Sequence, residues 1–409
     1  MLEPFRVRSF RFQWPSDLLT SWAFEMETLI LGWYVLVETR SVLMLTIFAS
    51  LQYIGTLLAP MFGVMGDRIG HRNVLCAMRA LYTGLATVLM VLAFTGAVTP
   101  VIVMVITAVL GLVRPSDVGM RTALVGETMP APLLMGAMGI QRTTQDSARV
   151  AGALTGAGLV AAMGLGIAYA AVVCLYAISL VLTLKAGGAH PQPRAMAASQ
   201  PATPWRDLRE GLSYVWKTPQ LRAALLIAFL LNLTAFPLFN GLMPYVAKVV
   251  YGADQTTLGT MVAAAATGSL TGSIIMSRFG GAFRPARAMI GFGIAWLAAL
   301  LVFTQTAHPA TGIPALMLAG CMQTMGLIPI NAMLLRTSDQ RYRGRIMGIR
   351  IMAIYGNPLG LLVAGPLIAN FGYAMAAGGY CLFGMAIIVW IAVHWRTHLL
   401  PAAALANRQ

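Results

Sequence analysis

Two acidic residues lie inside an apolar stretch near the start of the chain. Residues 22–33 read WAFEMETLILGW, and Glu25 and Glu27 in this stretch have no Lys or Arg three or four positions away. A carboxyl group in poorly hydrated surroundings is protonated part of the time, so it can hold either a proton or a cationic group, but not both. Both glutamates are therefore candidates for proton coupling or cation binding. The alternative is a structural acid that is permanently protonated or hydrogen-bonded.

The spacing of the two acids determines which one can face water. Residues two positions apart point about 200° apart around a helix, so Glu25 and Glu27 cannot line the same face. Glu25 shares its face with the small or polar residues Ser21, Thr28 and Gly32. We therefore expect Glu25 to face a hydrated cavity and Glu27 to contact a neighbouring helix.

The composition indicates whether these acids lie in water or in the hydrocarbon core of a membrane. Of the 409 residues, 58% are hydrophobic and 10% are charged, whereas soluble domains carry about 25% charged residues. Apolar runs of about 20 residues, long enough to cross a hydrocarbon core of about 30 Å, recur along the chain. The sequence predicts an all-α polytopic membrane protein with twelve transmembrane helices, at 17–38, 42–65, 73–95, 99–120, 136–161, 165–185, 221–246, 257–277, 286–306, 312–334, 346–369 and 373–395.

The basic residues indicate the orientation of the spans. The net charge is +15, but Lys and Arg are distributed among the connections and do not form one soluble basic face, which argues against nucleic-acid binding. They concentrate on alternate connections, and the positive-inside rule then places both termini in the cytoplasm. We expect a monomer in the bacterial inner (plasma) membrane, with the lipid bilayer, protons and a small-molecule substrate as its partners.

The longest connection divides the predicted spans into two sets of six. We predict an N-terminal six-helix bundle at 1–185, a cytoplasmic linker at 186–219 and a C-terminal six-helix bundle at 220–409. The linker ends in WRDLREGLSYVWK (205–217), whose apolar residues lie near one helical face, as in an amphipathic helix on a membrane surface. MGI at 138–140 recurs at 347–349, and DRIG at 67–70 is similar to SRFG at 277–280. In both cases the offset between the two copies is about half the chain length. Such repeats predict two pseudo-symmetric halves with a transport site between them.

The sequence contains no pattern typical of a catalytic centre, a metal site or a cofactor site. The four cysteines form no C-x-x-C pair, and the five histidines fall in connections or at span ends. We predict no catalytic residue, no metal and no cofactor. A membrane enzyme or a receptor that does not transport remains a remote alternative.

The connection after the second span carries the most specific motif. It reads GVMGDRIGHRNVL (63–75), which resembles the signature loop of the major facilitator superfamily. That resemblance implies a conformational latch in which Asp67 holds the start of span 11 and a basic residue of span 4, for which Arg114 is the candidate. The remaining latch residues are Gly63, Arg68, Gly70 and Arg72. His71 departs from the family pattern, and we interpret it as a solvated loop histidine.

Three further segments resemble one subgroup of that superfamily. PWRDLREGLSYVWKTPQLRA, LMPYVAKVVYGADQTTLGTMVAAAATGSLTGS and QRYRGRIMGI are similar to the enterobactin-exporter and macrolide-efflux type. The resemblance implies multidrug-like or siderophore-like export of a bulky, partly hydrophobic small molecule by proton antiport and alternating access. The alternative on the same fold is a proton-independent uniporter or a transporter of a lipid-like substrate.

Antiporters of this superfamily carry a G-P-x-x-G-G element in span 5. Here the stretch is GALTGA (152–157), so Ala153 replaces the proline while Gly152 and Gly156 remain for helix packing. In the second half GNPLG (356–360) supplies Gly356 and Pro358 at the equivalent place.

Other polar residues in the spans need partners, because an ionisable group costs a few kcal/mol in hydrocarbon. Arg114 with Asp117, and Asp146 with Arg149, are spaced three apart and can pair on one helix face, either as structural ion pairs or as gates. We expect Arg79 to direct its guanidinium outward from span 3. The uncharged candidates either line the cavity or form interhelical hydrogen bonds: Asn232, Asn240, Gln323, Asn331 and Asn357.

Overall fold

The computed structural model describes residues 3–187, 204–339 and 342–399, and within these ranges it contains helices but no strand. The all-α prediction is thereby confirmed. The main helices are α1 Arg8–Thr39, α2 Val42–Leu51, α3 Ala59–Ile69, α4 His71–Thr95, α5 Pro100–Thr128, α6 Ala131–Lys185, α7 Pro204–Lys217, α8 Pro219–Phe236, α9 Gln255–Phe279, α10 Pro285–Thr304, α11 Pro309–Thr337, α12 Arg343–Met352, α13 Gly356–Phe371 and α14 Tyr373–His394.

The number of membrane-spanning helices agrees with the twelve that the sequence predicts. Nine helices of the described chain are long and apolar enough to cross a membrane, and α2 with α3 forms a tenth, bent span. The helix α1 adds an eleventh, since its 32 residues can span although its acids lower its hydropathy. The twelfth comes from α6, which is two helices joined at Gly164, where φ is 81°. That kink coincides with the predicted connection between spans 5 and 6.

The chain divides into two compact units. The first comprises Met1–Ala197 with Met243–Ala266, and the second comprises Ala198–Leu242 with Thr267–Gln409. The proposed bundle boundaries at 185 and 220 stay a prediction, and residues 188–203 of the linker lie outside the described residues.

Several helices begin where a side chain can satisfy a free backbone amide. Thr99 accepts a hydrogen bond from the Ile102 amide before α5, and Ser41 accepts one from Met44 before α2. Before α9, Asp254 accepts hydrogen bonds from both the amide and the hydroxyl of Thr257 at 2.9 Å, and these bonds lower the pKa of the exposed Asp254 carboxyl.

In the first unit, α1 packs along the length of α6. Small residues allow this approach, because a Cβ atom at Gly152 would lie 2.7 Å from Glu25 Cβ, and one at Gly156 would lie 3.1 Å from Met26 Cα. The side chains of α1 are thereby held in a fixed register against α6. This register sets the partners of the acids in α1.

In the second unit, α10 packs against α11 and α8 packs against α13. A Cβ atom at Gly356 would lie 2.6 Å from the Phe229 carbonyl oxygen, so α13 approaches the α8 backbone closely. The helix α7 contacts α12 and Tyr342, the residue that precedes it. Glu210 pairs with Arg345 at 2.7 Å, and the rings of Tyr214 and Tyr342 stack with centroids 4.4 Å apart.

Candidate functional site

Glu27 lies at the centre of a buried cluster of three side chains, which we call the Glu27 cluster: Glu27, Arg114 and Tyr176. Glu27 is 0% exposed, and its Oε2 accepts hydrogen bonds from the Arg114 guanidinium and, at 3.0 Å, from the Tyr176 hydroxyl. Arg114 also donates to the Tyr176 oxygen at 3.2 Å and to Thr28 at 3.4 Å. Glu27 Oε1 has no hydrogen-bond partner among the described residues.

Glu25 occupies a more open position one turn of α1 away from Ser21. Its side chain is 30% exposed, and Oε1 lies 3.3 Å from Nε of Arg149 on α6, whose side chain is 35% exposed. Arg149 is also within electrostatic reach of Asp146, the buried acid that precedes it by three residues. The two glutamates thus pair with different arginines, Glu25 with Arg149 on α6 and Glu27 with Arg114 on α5.

Four more charged side chains form a second buried group, which we call the Asp17 cluster: Asp17, Arg79, Asp117 and Arg121. Arg79 donates to Asp17 Oδ1 at 2.5 Å, and Arg121 lies 3.6 Å from the same oxygen. Arg121 also pairs with Asp117, one turn away on α5. All four side chains are nearly inaccessible, so each charge depends on its neighbours for compensation.

Arg79 occupies a different environment from the one expected. It is fully buried and does not reach outward, because α6 and α1 surround it with hydroxyl groups. Its Nη1 donates to Ser16 at 2.6 Å and to Thr183, and Ser16 bonds in turn to Ser179. A guanidinium with several donors can satisfy such a group of acceptors, and this makes snorkelling unnecessary.

Arg114 and Asp117 have partners other than those that sequence spacing indicates. Arg114 is near the midpoint of the 29-residue α5 and bonds to Glu27, whereas Asp117 pairs with Arg121. Arg114 and Asp117 therefore do not pair with each other, because Glu27 on α1 is the partner of Arg114, and Arg121, four residues along α5, is the partner of Asp117.

The end of α3, the turn at Gly70 and the start of α4 hold the residues of the expected latch except Arg114, which lies on α5 and bonds to Glu27 instead. The side chain of Asp67 is 78% exposed and lies 3.8 Å from the His71 imidazole, whose other nitrogen lies 2.7 Å from Glu127 on α5. Arg72 donates to the carbonyl groups of Thr183 and Leu184 at the end of α6.

His71 is buried, not solvated, in contrast to the expectation from its loop position. The imidazole fits because Gly66 has no side chain: a Cβ there would lie 2.6 Å from His71 Cδ2. Gly63 has open space around it, and Gly70 has φ of +90°, which favours glycine at the turn into α4.

The uncharged candidates of the second unit differ in their environments. Gln323 is buried and accepts a hydrogen bond from Ser269 at 3.1 Å, whereas Asn232 donates to the Ala228 carbonyl within its own helix. Asn357 is buried, Asn331 is partly buried, and Asn240 is exposed. Which of them line a cavity stays a prediction.

Sequence reasoning missed Asp17, Tyr82 and Tyr176 as members of the site. Asp17 seemed to be the first residue of its span, but α1 begins nine residues earlier, at Arg8, so Asp17 lies inside the helix. A signal was available, since Asp17, Ser21 and Glu25 follow one another at intervals of four. Nothing in the sequence singled out the two tyrosines from other aromatic residues.

The described residues contain no group of three or more His, Cys, Asp or Glu side chains that could hold a metal ion. Both clusters contain buried carboxyl groups next to arginines that keep their charge, so the carboxyl groups are the members of each cluster that can take up or release a proton.

Comparisons with known proteins identify the fold. The model of the family described as Major Facilitator Superfamily matches residues 18–356. No protein with a curated description matches the sequence. Solved structures with a similar fold include the nucleoside transporter NupG (13% identity, 95% of this chain and 99% of that chain, TM-score 0.72). They also include the POT family transporter PepTSo (13%, 97% and 99%, 0.74) and a D-xylose-proton symporter (12%, 95% and 97%, 0.71).

Proposed function

Since the chain belongs to the Major Facilitator Superfamily and is a multi-pass membrane transporter, we propose that it exports a bulky, partly hydrophobic small molecule by proton antiport. The transport cycle is alternating access, and Glu27 is the acid that carries the coupling proton. The resemblance of three segments to the enterobactin-exporter and macrolide-efflux subgroup supports the direction and the substrate class. The relatives named above share only the fold, and the substrates of such a fold vary widely.

The observation that carries this proposal is the Glu27 cluster. With Glu27 ionised, its charge and that of Arg114 cancel. With Glu27 protonated, Arg114 keeps a buried charge without a counterion, which is costly. A movement that hydrates the cluster or displaces Arg114 therefore changes the proton affinity of Glu27. This is the property that alternating access needs in order to bind a proton on one side and release it on the other.

The distribution of acids supports a coupling site in the first unit. After Glu210 the sequence has only two acidic residues, Asp254 and Asp339, and both lie in connections between spans. Away from the helix ends, the acids within membrane helices are Asp17, Glu25, Glu27, Asp117 and Asp146, all in the first unit. Intramembrane ionisable groups usually serve the transport pathway.

Glu25 is proposed to bind a cationic group of the substrate. Its side chain is more exposed than that of Glu27, and its contact with Arg149 at 3.3 Å is open enough to exchange for another cation. Glu27 then carries the proton, and Glu25 binds the substrate. From the sequence, each acid was a candidate for both proton coupling and cation binding.

The other parts of the proposal concern orientation and gating. Both termini lie in the cytoplasm, the membrane is a bacterial inner membrane, and the protein works as a monomer. Asp67, with the residues around it, acts as the latch. The ion pair of Asp117 with Arg121 and the pair of Asp146 with Arg149 act in gating. Asn and Gln side chains of the second unit contribute to the cavity.

The test uses inverted membrane vesicles with an acidic interior and ethidium as the probe. Wild-type protein is expected to accumulate ethidium in response to the pH gradient. Glu27→Gln is expected to lower the gradient-driven rate by about 100-fold, the contribution of one positioned proton-transfer group. Glu25→Gln is expected to raise KM for ethidium while the dependence on the gradient remains.

Glu38→Gln is the matched control, because Glu38 is an exposed acid on the same helix α1. If Glu27→Gln retains gradient-driven accumulation, the coupling assignment is wrong. Wild-type transport that is insensitive to an uncoupler would favour the uniporter or lipid-like-substrate alternative. Binding of ethidium without flux would favour a receptor.

A further inference from the structure

Two aromatic side chains, Phe24 and Tyr82, form a partition between the Asp17 cluster and the Glu27 cluster, to which Tyr176 belongs. Phe24 contacts Tyr82 and Tyr176 edge-on, with ring centroids 5.0 and 5.8 Å apart, and the two tyrosine rings are 5.7 Å apart. Tyr82 and Tyr176 are fully buried. The partition separates the two groups of charges by only one layer of side chains.

Phe24 interacts with an arginine of each cluster. The guanidinium carbon of Arg114 lies 4.4 Å from the ring centroid, and that of Arg121 lies 5.8 Å from it. An aromatic face attracts a cation, most strongly when that cation is desolvated. The same ring can therefore stabilise either arginine when its carboxylate partner becomes protonated.

The two clusters have the same net charge before and after they take up one proton. The Glu27 cluster has one acid and one arginine, and the Asp17 cluster has two acids and two arginines. Each is neutral when all its acids are ionised, and each carries one positive charge after it has taken up one proton. Charge count alone therefore favours neither cluster.

Two adjacent buried tyrosines, Tyr176 and Tyr82, carry hydroxyl groups beside the acids of the two clusters. The Tyr176 hydroxyl donates to Glu27, and the fully buried Tyr82 hydroxyl has no hydrogen-bond partner among the described residues. Tyr82 is within electrostatic reach of Asp117 and Arg121 in the Asp17 cluster and of Arg114 in the Glu27 cluster. A buried hydroxyl without a partner is costly, and such groups are rare in folded proteins unless they serve a function.

We propose that the Asp17 cluster is a second proton-holding site, which exchanges its proton with Glu27 through the hydroxyls of Tyr82 and Tyr176. The inference rests on the proposed role of Glu27 in proton coupling. The Tyr82 hydroxyl has no hydrogen-bond partner among the described residues, so the transfer begins with a side-chain movement that brings it within hydrogen-bond distance of Tyr176 and Asp117. Protonated Glu27 then gives its proton to the Tyr176 oxygen while Tyr176 passes its own hydroxyl proton to Tyr82. Tyr82 passes its hydroxyl proton to the Asp117 carboxylate, so both tyrosines end neutral, Glu27 ends ionised and Asp117 ends protonated.

A partly open pocket adjoins the Asp17 cluster, and we expect protons to reach the cluster through it. The pocket, of about 270 Å³ including its open mouth, is lined by Asp17 and Arg121 together with Trp14, Gln141 and Thr144. Gln141 donates to Asp17 Oδ2 at 3.3 Å, so the carboxylate faces this pocket with one oxygen and the cluster with the other. Protons are thus expected to enter and leave at Asp17 and to reach Glu27 afterwards.

The test follows the protonation of the acids directly, in protein reconstituted in lipid without substrate. Infrared difference spectra after a jump to acidic pH report the carbonyl stretch of protonated carboxyl groups, and Glu27→Gln and Asp117→Asn assign the bands. Tyr82→Phe removes only the hydroxyl that has no partner, so the fold is expected to persist. In this variant the Glu27 band is expected to appear about 100-fold more slowly, while the Asp117 band keeps its wild-type rate.

Tyr34→Phe is the control, because the Tyr34 hydroxyl donates to the Val98 carbonyl away from both clusters. An unchanged rate of the Glu27 band in Tyr82→Phe overturns the relay, as does the absence of an Asp117 band in the wild type. The infrared result is independent of transport. If the bands behave as expected but wild-type vesicles show no gradient-driven ethidium uptake, the relay stands and the proposed function fails.

Discussion

Replacing Arg114 by leucine is expected to lower the free energy of unfolding by about 3–5 kcal/mol, the cost of leaving one member of a buried ion pair without its partner. Glu27 is 0% exposed and Arg114 is its counterion. The loss is expected to shrink at acidic pH, because protonation of Glu27 removes the uncompensated charge. The measurement is thermal unfolding of the purified protein in detergent across a series of pH values.

Two further variants determine whether the loss arises from the unpaired charge. The double variant Glu27→Leu with Arg114→Leu removes both charges and is expected to recover most of the stability without restoring gradient-driven transport. Arg149→Leu breaks the half-exposed pair with Glu25 and is expected to cost about 1 kcal/mol or less. An Arg114→Leu protein as stable as the wild type at neutral pH would show that Glu27 is not buried as an ion.

Gly111→Val is expected to prevent stable folding of the first unit, because the new side chain would overlap backbone atoms of a neighbouring helix, which cannot move aside as a side chain can. A Cβ atom at Gly111 would overlap the Leu51 carbonyl oxygen and lie 3.1 Å from Gln52 Cα. Gly55 faces the Leu112 carbonyl oxygen in the same way, so α5 and the bend between α2 and α3 meet at both glycines. Overpacking costs about 1–3 kcal/mol where side chains can adjust, and more is expected where they cannot.

Gly119→Ala is the matched control on the same helix. No atom lies within 4 Å of a Cβ built at Gly119, and alanine is favoured over glycine inside a helix by about 0.5–1 kcal/mol. Gly119→Ala is therefore expected to unfold at the same temperature as the wild type or slightly above it. Folding yield and melting temperature distinguish the two variants, and a Gly111→Val protein with wild-type values for both would contradict the close approach.

The spans and the family could be predicted from sequence because both depend on local information. Apolar runs of the length of a bilayer specify helices, and the loop at 63–75 has a specific spacing of Gly, Asp and Arg. Even the interruption of α6 at Gly164 falls between two predicted spans. These features are properties of consecutive residues, so a single chain reveals them.

The partners of the buried charges could not be predicted because they depend on how helices turn and pack against one another. Sequence spacing indicates which charges need compensation, and it favours neighbours three or four residues away. In the structure, Asp17 pairs with Arg79 on α4, and Glu27 pairs with Arg114 on α5. A rotation of α1 by half a turn would exchange the environments of Glu25 and Glu27, and nothing in consecutive residues specifies that rotation.

The most direct test of proton coupling at Glu27 drives protons with substrate. Proteoliposomes that contain the pH-sensitive dye pyranine are loaded with ethidium and diluted into medium without it, at equal pH on both sides. We predict that ethidium efflux through wild-type protein acidifies the interior, and that Glu27→Gln abolishes this acidification while Glu38→Gln does not. Efflux of ethidium through the wild type without any change of internal pH, or equal acidification by Glu27→Gln, would contradict the account.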